Sequence, residues 1–195
     1  MVNVALSTLA VLAAAPFIGA IPTATQPDAA EVFSFAKWVD GIIANPEGDN
    51  LTPSQAVEAW RESVNATESD GTTATNGLLQ KRVTCNTVAG TEASTADIVT
   101  NQVPDAVSCI NDLARKGSQA CVVSSVSVFC LLGNAQITGV KGGTNAASTS
   151  SACNDVARAG GLIMDSCTRA DNTVQGQEFA WGNGNLLVHI RRPGL

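Results

Sequence analysis

The sequence predicts an α+β protein: a small two-layer α/β sandwich, an antiparallel sheet plus two helices stapled by disulfides, preceded by a signal peptide and a helical propeptide. Three observations lead there. Of 195 residues, 45% are apolar and only 14% charged, enough to bury a core and too apolar for a disordered chain. All six cysteines lie between Cys85 and Cys167, without the paired short C-x-x-C steps of a zinc site, and read as a disulfide framework. From residue 104 onward the periodicity runs helix, strands, helix, strand, and two amphipathic helices and a sheet hide their apolar faces most simply against each other.

An apolar run over residues 2–15, VNVALSTLAVLAAA, has the length of a signal-peptide core and is too short to span a bilayer. Pro16 ends it, and the small residues of IGA offer cleavage after Ala20. Residues 1–20 are therefore expected to direct secretion, with no stable membrane insertion, into the oxidising extracellular compartment that suits six cysteines. Residues 21–82 follow as an acidic propeptide with two helices and a flexible linker. They hold no cysteine and carry nine acidic residues against four basic ones, −5 of the net charge of −6. Pro27 and Asp28 open an amphipathic stretch in which Val32, Phe33, Phe35, Ala36, Val39 and Ile43 gather on one side, closed by Asn45 and Pro46. Thr52, Pro53 and Gln55 form a capping signature ahead of Ala56, Val57 and Trp60. From Asn65 to Gln80 the chain is polar with little to bury, and Asn65 heads an N-x-[ST] glycosylation acceptor. The linker ends at Lys81 and Arg82, a dibasic pair at a composition boundary where a secretory endoprotease of the kexin type is expected to cut.

Residues 83–195 form the cysteine-rich domain, with seven basic residues against eight acidic. Pro104 and Asp105 mark a helix start and Gly117 its stop, with Lys116 in the last turn and Cys109 on the helix. Residues 121–123 and 126–130 are short β-branched runs around Ser124 and Ser125, and Gly133-Asn134 turns into a strand over 135–140. A second helix is expected over 150–166, with Cys153, Val156, Ala157, Gly160, Met164 and Cys167 on one face. Gly160 and Gly161 weaken it by about 1 kcal/mol each, enough for a distortion or early stop. Residues 177–191 read as strand interrupted by a turn at 182–185, with Leu186, Val188 and Ile190 on one face. Phe129, Phe179 and Trp181 are the domain's only aromatics and are expected in its core.

The same residues narrow the function. Aromatics at 4%, no tyrosine and a net charge of −6 exclude a nucleic-acid partner. No nucleophile elbow, P-loop or HExxH zinc motif is present. The single histidine, His189, sits in the last strand on the face of Leu187 and reads as a half-buried strand residue rather than a base. Asp155, Asp165 and Asp171 are candidate carboxylates for a small hydrolase only because they are the aspartates at hand. No cofactor or metal is expected.

The cysteine spacing adds a family. Cys121 and Cys130 are nine apart and followed by Leu131-Leu132-Gly133-Asn134; Cys130 to Cys153 is 23 and Cys153 to Cys167 is 14; Ser151-Ala152-Cys153 enters a helix; and GNGNLLVHI closes the chain from Gly182 to Ile190. In these features the domain resembles the fungal killer-toxin-like secreted effectors, of the killer-protein-four type. The resemblance implies an antiparallel sheet covered by two helices, a non-enzymatic toxin, and the pairs Cys85 with Cys167, Cys109 with Cys153, and Cys121 with Cys130, one of the fifteen pairings open to six cysteines. The family's basic residue before the second hairpin cysteine falls here on Val128, and no lysine or arginine lies between Cys121 and Val140.

The expected function is thus a secreted effector or antimicrobial protein that binds a channel, a receptor or an envelope component of a competitor or host cell. Its propeptide is expected to associate with the mature domain. Should Phe179 and Trp181 lie outside the core, they, as an apolar anchor, with Arg191 and Arg192, as a cationic rim, are the candidate partner contacts. The alternatives are a structural or interaction protein of the fungal cell surface, retained uncleaved, and a small secreted hydrolase.

Overall fold

A computed structural model of the chain describes residues 32–70, 83–85, 102–143 and 145–194, all within one compact unit, Val32–Leu195. Ala20, Lys81 and Arg82 lie outside the described residues.

The first helix, α1 (Phe35–Ala44), starts at Ser34, whose side chain accepts from the Lys37 N–H at its own N-terminus. The predicted capping box opens α2 (Pro53–Asp70): the Thr52 N–H donates to Gln55 Oε1 at 2.9 Å, and the Gln55 N–H returns to Thr52 Oγ1 at 3.4 Å. The helix runs through Asn65, where the polar composition suggested that order fades, and Asn65 is exposed on it. β1 (Thr84–Cys85) is followed by α3 (Gln102–Arg115), which begins two residues earlier than its Pro104 signal. β2 (Ala120–Val123), β3 (Val126–Leu132), β4 (Ala135–Lys141) and β5 (Thr149–Ala152) precede α4 (Cys153–Cys167), and β6 (Gly176–Phe179) and β7 (Leu186–Arg191) form the closing hairpin.

Five strands make one antiparallel sheet in the order β1-β6-β7-β4-β3, so β3 is a free edge among the described residues. β2 does not form the hairpin with β3 that its sequence suggests. It pairs with β5 in a separate two-stranded sheet, Cys121 opposite Ser151. That register decides the disulfides. Cys121 lies beside the start of α4 and bonds to Cys153, while Cys130, on the inner face of β3, meets Cys109 on α3. The pairs Cys109 with Cys153 and Cys121 with Cys130 are therefore corrected to Cys109–Cys130 and Cys121–Cys153; Cys85–Cys167 is as expected.

α3 and α4 cover the face of the sheet that carries Ala135, Ile137, Leu186, Val188 and Ile190, all buried. A third layer lies beyond them, because α1 packs on α4 and α3, and α2 packs on α3. One hydrophobic core runs through all three. Its large aromatics come from the first segment: Phe35 and Trp38 are buried, and the Phe35 ring meets Phe33 edge-on at 5.1 Å and Trp60 at 6.1 Å. Phe179 and Trp181, expected in the core, are exposed instead.

Gly160 and Gly161 do not break α4. A Cβ on Gly160 would stand 2.9 Å from Ile110 Cγ1, and one on Gly161 2.8 Å from the Ala36 Cα. Glycine here lets α3 and the backbone of α1 approach, which outweighs its lower helix propensity.

Candidate interaction face

The face of the sheet turned away from the helices follows from register and the alternation of strand side chains. Three rows cross it. Val126, Val140, Leu187 and Phe179 make an apolar row from β3 to β6. Next along the strands come Val128, Thr138, His189 and Gln177, and then, past a bulge between Val128 and Cys130, Leu131, Gln136 and Arg191. The bulge turns the Phe129 ring inward onto Gly139, where an added Cβ would stand 2.5 Å from the ring. Val126, Val128 and Leu131 are more than half exposed. They sit on a free edge strand with no lysine, proline or carboxylate to discourage pairing, in a stretch without any charge from Cys121 to Val140.

The middle of this face is polar and poorly satisfied. Thr138 is wholly buried, and its Oγ1 has no hydrogen-bond partner; neither have the buried Nε2 of His189 and Nε of Arg191. Thr138 stands directly opposite His189, and Arg191 follows two residues later on the same side of β7. Burial, with the Arg191 charge beside it, lowers the His189 pKa below its ordinary value, so the imidazole is neutral at neutral pH. Buried polar groups are nearly always hydrogen-bonded, so three orphans on one face are unusual.

The sequence-predicted contacts divide accordingly. Phe179 and Arg191 lie on this face, at opposite ends of it. Trp181 follows β6, is 60% exposed, and donates its backbone N–H to the Asp155 carbonyl at 3.2 Å; Arg192 is exposed past the end of β7. Gln136, Thr138 and Gln177 lie on it as well, and the alternation Gln136-Ile137-Thr138 and Leu187-Val188-His189 carries their signal in the sequence.

The three aspartates considered for hydrolysis are all engaged elsewhere. Asp165 accepts from Ser34 Oγ at 2.7 Å and from the Phe35 and Ala36 N–H groups at 2.6 and 3.1 Å, capping α1 from α4. Its burial raises its pKa despite these hydrogen bonds. Asp155 binds Arg158 at 2.8 Å, which also reaches Asp40 of α1 at 2.9 Å, and Asp171 accepts from the backbone and hydroxyl of Thr173. Among the described residues no group of three or more histidine, cysteine or acidic side chains could hold a metal ion, and no helix is long and apolar enough to cross a membrane.

A family model described as a domain of unknown function, DUF8794, matches residues 80–192. The chain belongs to that family. The DUF8794 stretch takes in every strand, α3, α4 and all six cysteines, and leaves α1 and α2 before it. No curated protein and no solved structure matches the chain.

Proposed function

We propose that the protein is a secreted, non-enzymatic binding protein of the killer-toxin-like effector kind, acting on an envelope component or membrane protein of a competitor or host cell through the open face of its sheet. The observation that carries this reading is the free, charge-free edge strand β3 beside a cluster of three unpartnered buried polar atoms. Three disulfides suit an oxidising, extracellular setting and hold the face rigid, which lowers the ordering cost of binding. The use of Asp155, Asp165 and Asp171 in structural contacts favours binding over hydrolysis. Residues 21–82 serve as a proregion in this reading, and their helices stay in the core after any cut at Lys81-Arg82.

The test is binding of the labelled full-length protein to intact microbial cells, alongside growth inhibition. The protein is expected to bind, and Val128→Asp, at a position 55% exposed, to abolish binding while leaving the melting temperature unchanged. Cells that retain neither protein overturn the proposal.

A further inference from the structure

We infer that the polar end of the open sheet face binds the phosphate head group of an anionic lipid and lays the apolar end against a bilayer surface. This rests on the binding reading above and names its envelope component. Thr138 Oγ1, His189 Nε2 and Arg191 Nε are each buried without a partner. They belong to two neighbouring strands and one face, with Thr138 opposite His189. With the part-exposed His189 and Arg191 side chains turned aside from Thr138, an oxyanion supplies what all three lack. One oxygen accepts from the guanidinium, whose fork matches phosphate geometry, and others accept from the hydroxyl and from the imidazole in its Nε2–H tautomer.

The charge distribution selects an anion. The residues that the five strands turn outward include no aspartate or glutamate, and Arg191 is their one permanent charge. Of the described acidic side chains, Asp40, Glu47, Asp49, Glu58 and Glu62 belong to α1, α2 and the loop between them, in the layer farthest from this face, while Asp105 of α3 reaches the β3–β4 turn and accepts from the Asn134 N–H at 2.8 Å. Within a net-acidic protein the outward side chains of the strands are therefore net cationic, which orients them toward a negative surface.

The apolar row selects a lipid over free phosphate. It runs from Val126 to Phe179 two rows from Arg191, about 14 Å away at ~3.4 Å per residue, with exposed Val128 and Leu131 along the β3 edge between them. Soluble phosphate would satisfy the polar cluster and leave that row in water. An anionic lipid satisfies both, with the apolar end entering the head-group and acyl boundary by about 5–10 Å.

The experiment is co-sedimentation of the full-length protein with vesicles of phosphatidylglycerol mixed into phosphatidylcholine, against phosphatidylcholine alone. The protein is expected to partition onto the anionic vesicles only. Arg191→Gln is expected to weaken partitioning about fivefold, the equivalent of ~1 kcal/mol for one cation at an anionic surface. Arg191→Lys, which keeps the charge and loses the fork, falls between them, and circular dichroism reports that both variants fold. Equal partitioning of wild type and Arg191→Gln overturns the inference. So does cell binding without vesicle binding, an outcome that leaves the broader binding reading standing. Saturation by inorganic phosphate without sedimentation overturns it in favour of a soluble anion. Self-association lost in Val128→Asp, seen by ultracentrifugation without vesicle binding, overturns it in favour of a second copy of the chain.

Discussion

The two faces of the five-stranded sheet are built by alternate residues of the same strands and have opposite fates. On β7, Leu186, Val188 and Ile190 are buried under α3 and α4, while Leu187, His189 and Arg191, which alternate with them, are half-buried on the opposite face. The inner face is closed by apolar packing, two glycine-mediated helix approaches and disulfides from Cys109 and Cys167. The outer face keeps three buried polar atoms without partners and an edge strand without a charge. Stability accounts for the first set of residues. It does not account for the second, since a Thr138 with no partner is a cost to the fold.

The largest expected effects break the inner side. Replacing Cys85 and Cys167 together by serine removes a crosslink across 82 residues and is expected to cost about 4.5 kcal/mol; replacing Cys109 and Cys130, 21 apart, costs about 3.4 kcal/mol. Urea titration of the two double variants checks the order. Non-reducing peptide mapping is expected to return Cys109 with Cys130 and Cys121 with Cys153, and peptides joining Cys121 to Cys130 contradict the β2–β5 register.

A smaller effect tests how the first segment is held on the inner side. Asp165→Ala removes the acceptor for the Ser34 hydroxyl and two N–H groups of α1, and is expected to cost about 2 kcal/mol. The pH dependence has a definite sign. Burial keeps the folded Asp165 pKa above its unfolded value, with Lys37 pulling weakly the other way, so the folded chain holds this proton longer. The contribution to stability is complete below the ordinary carboxylate range and is lost as pH rises through the raised value. Asp165→Asn cannot ionise, so the stability of wild type relative to Asp165→Asn is expected to fall with rising pH in paired urea titrations. A rising difference would show that the hydrogen bonds outweigh desolvation.

Periodicity made the inner side legible. The stripe of Cys153, Val156, Ala157, Gly160, Met164 and Cys167 is buried as read, and so are Leu186, Val188 and Ile190. What local pattern could not supply was partner choice. Cys121 to Val123 fits a strand equally well beside β3 or β5, and only the long-range register with Thr149–Ala152, a polar run without strand signals, decides which cysteines meet. Gly160 and Gly161 misled for the same reason: propensity counts their entropy, whereas Ile110 and Ala36, distant in sequence, set their value. The aromatics misled through a division of the chain. With residues 21–82 set apart, Phe179 and Trp181 were the large side chains available for a core that Phe35 and Trp38 in fact fill. On the open face, His189 and Arg191 were visible in the sequence, but their meeting with Thr138 is a fact of strand order.

The smallest expected change sharpens the comparison most. Thr138→Val keeps the shape and β-branching of a wholly buried side chain and deletes a hydroxyl that has no partner. If the outer face served stability as the inner one does, the change would be neutral or harmful. Relief of an unsatisfied buried group predicts instead a gain of about 1 kcal/mol in urea titration. The same substitution removes one donor from the proposed oxyanion site, so partitioning onto anionic vesicles is expected to weaken as stability rises. That opposition is what a site retained for binding at the expense of the fold predicts. Stability and vesicle binding that rise together would place Thr138 outside the site and leave Arg191 and His189 to carry it.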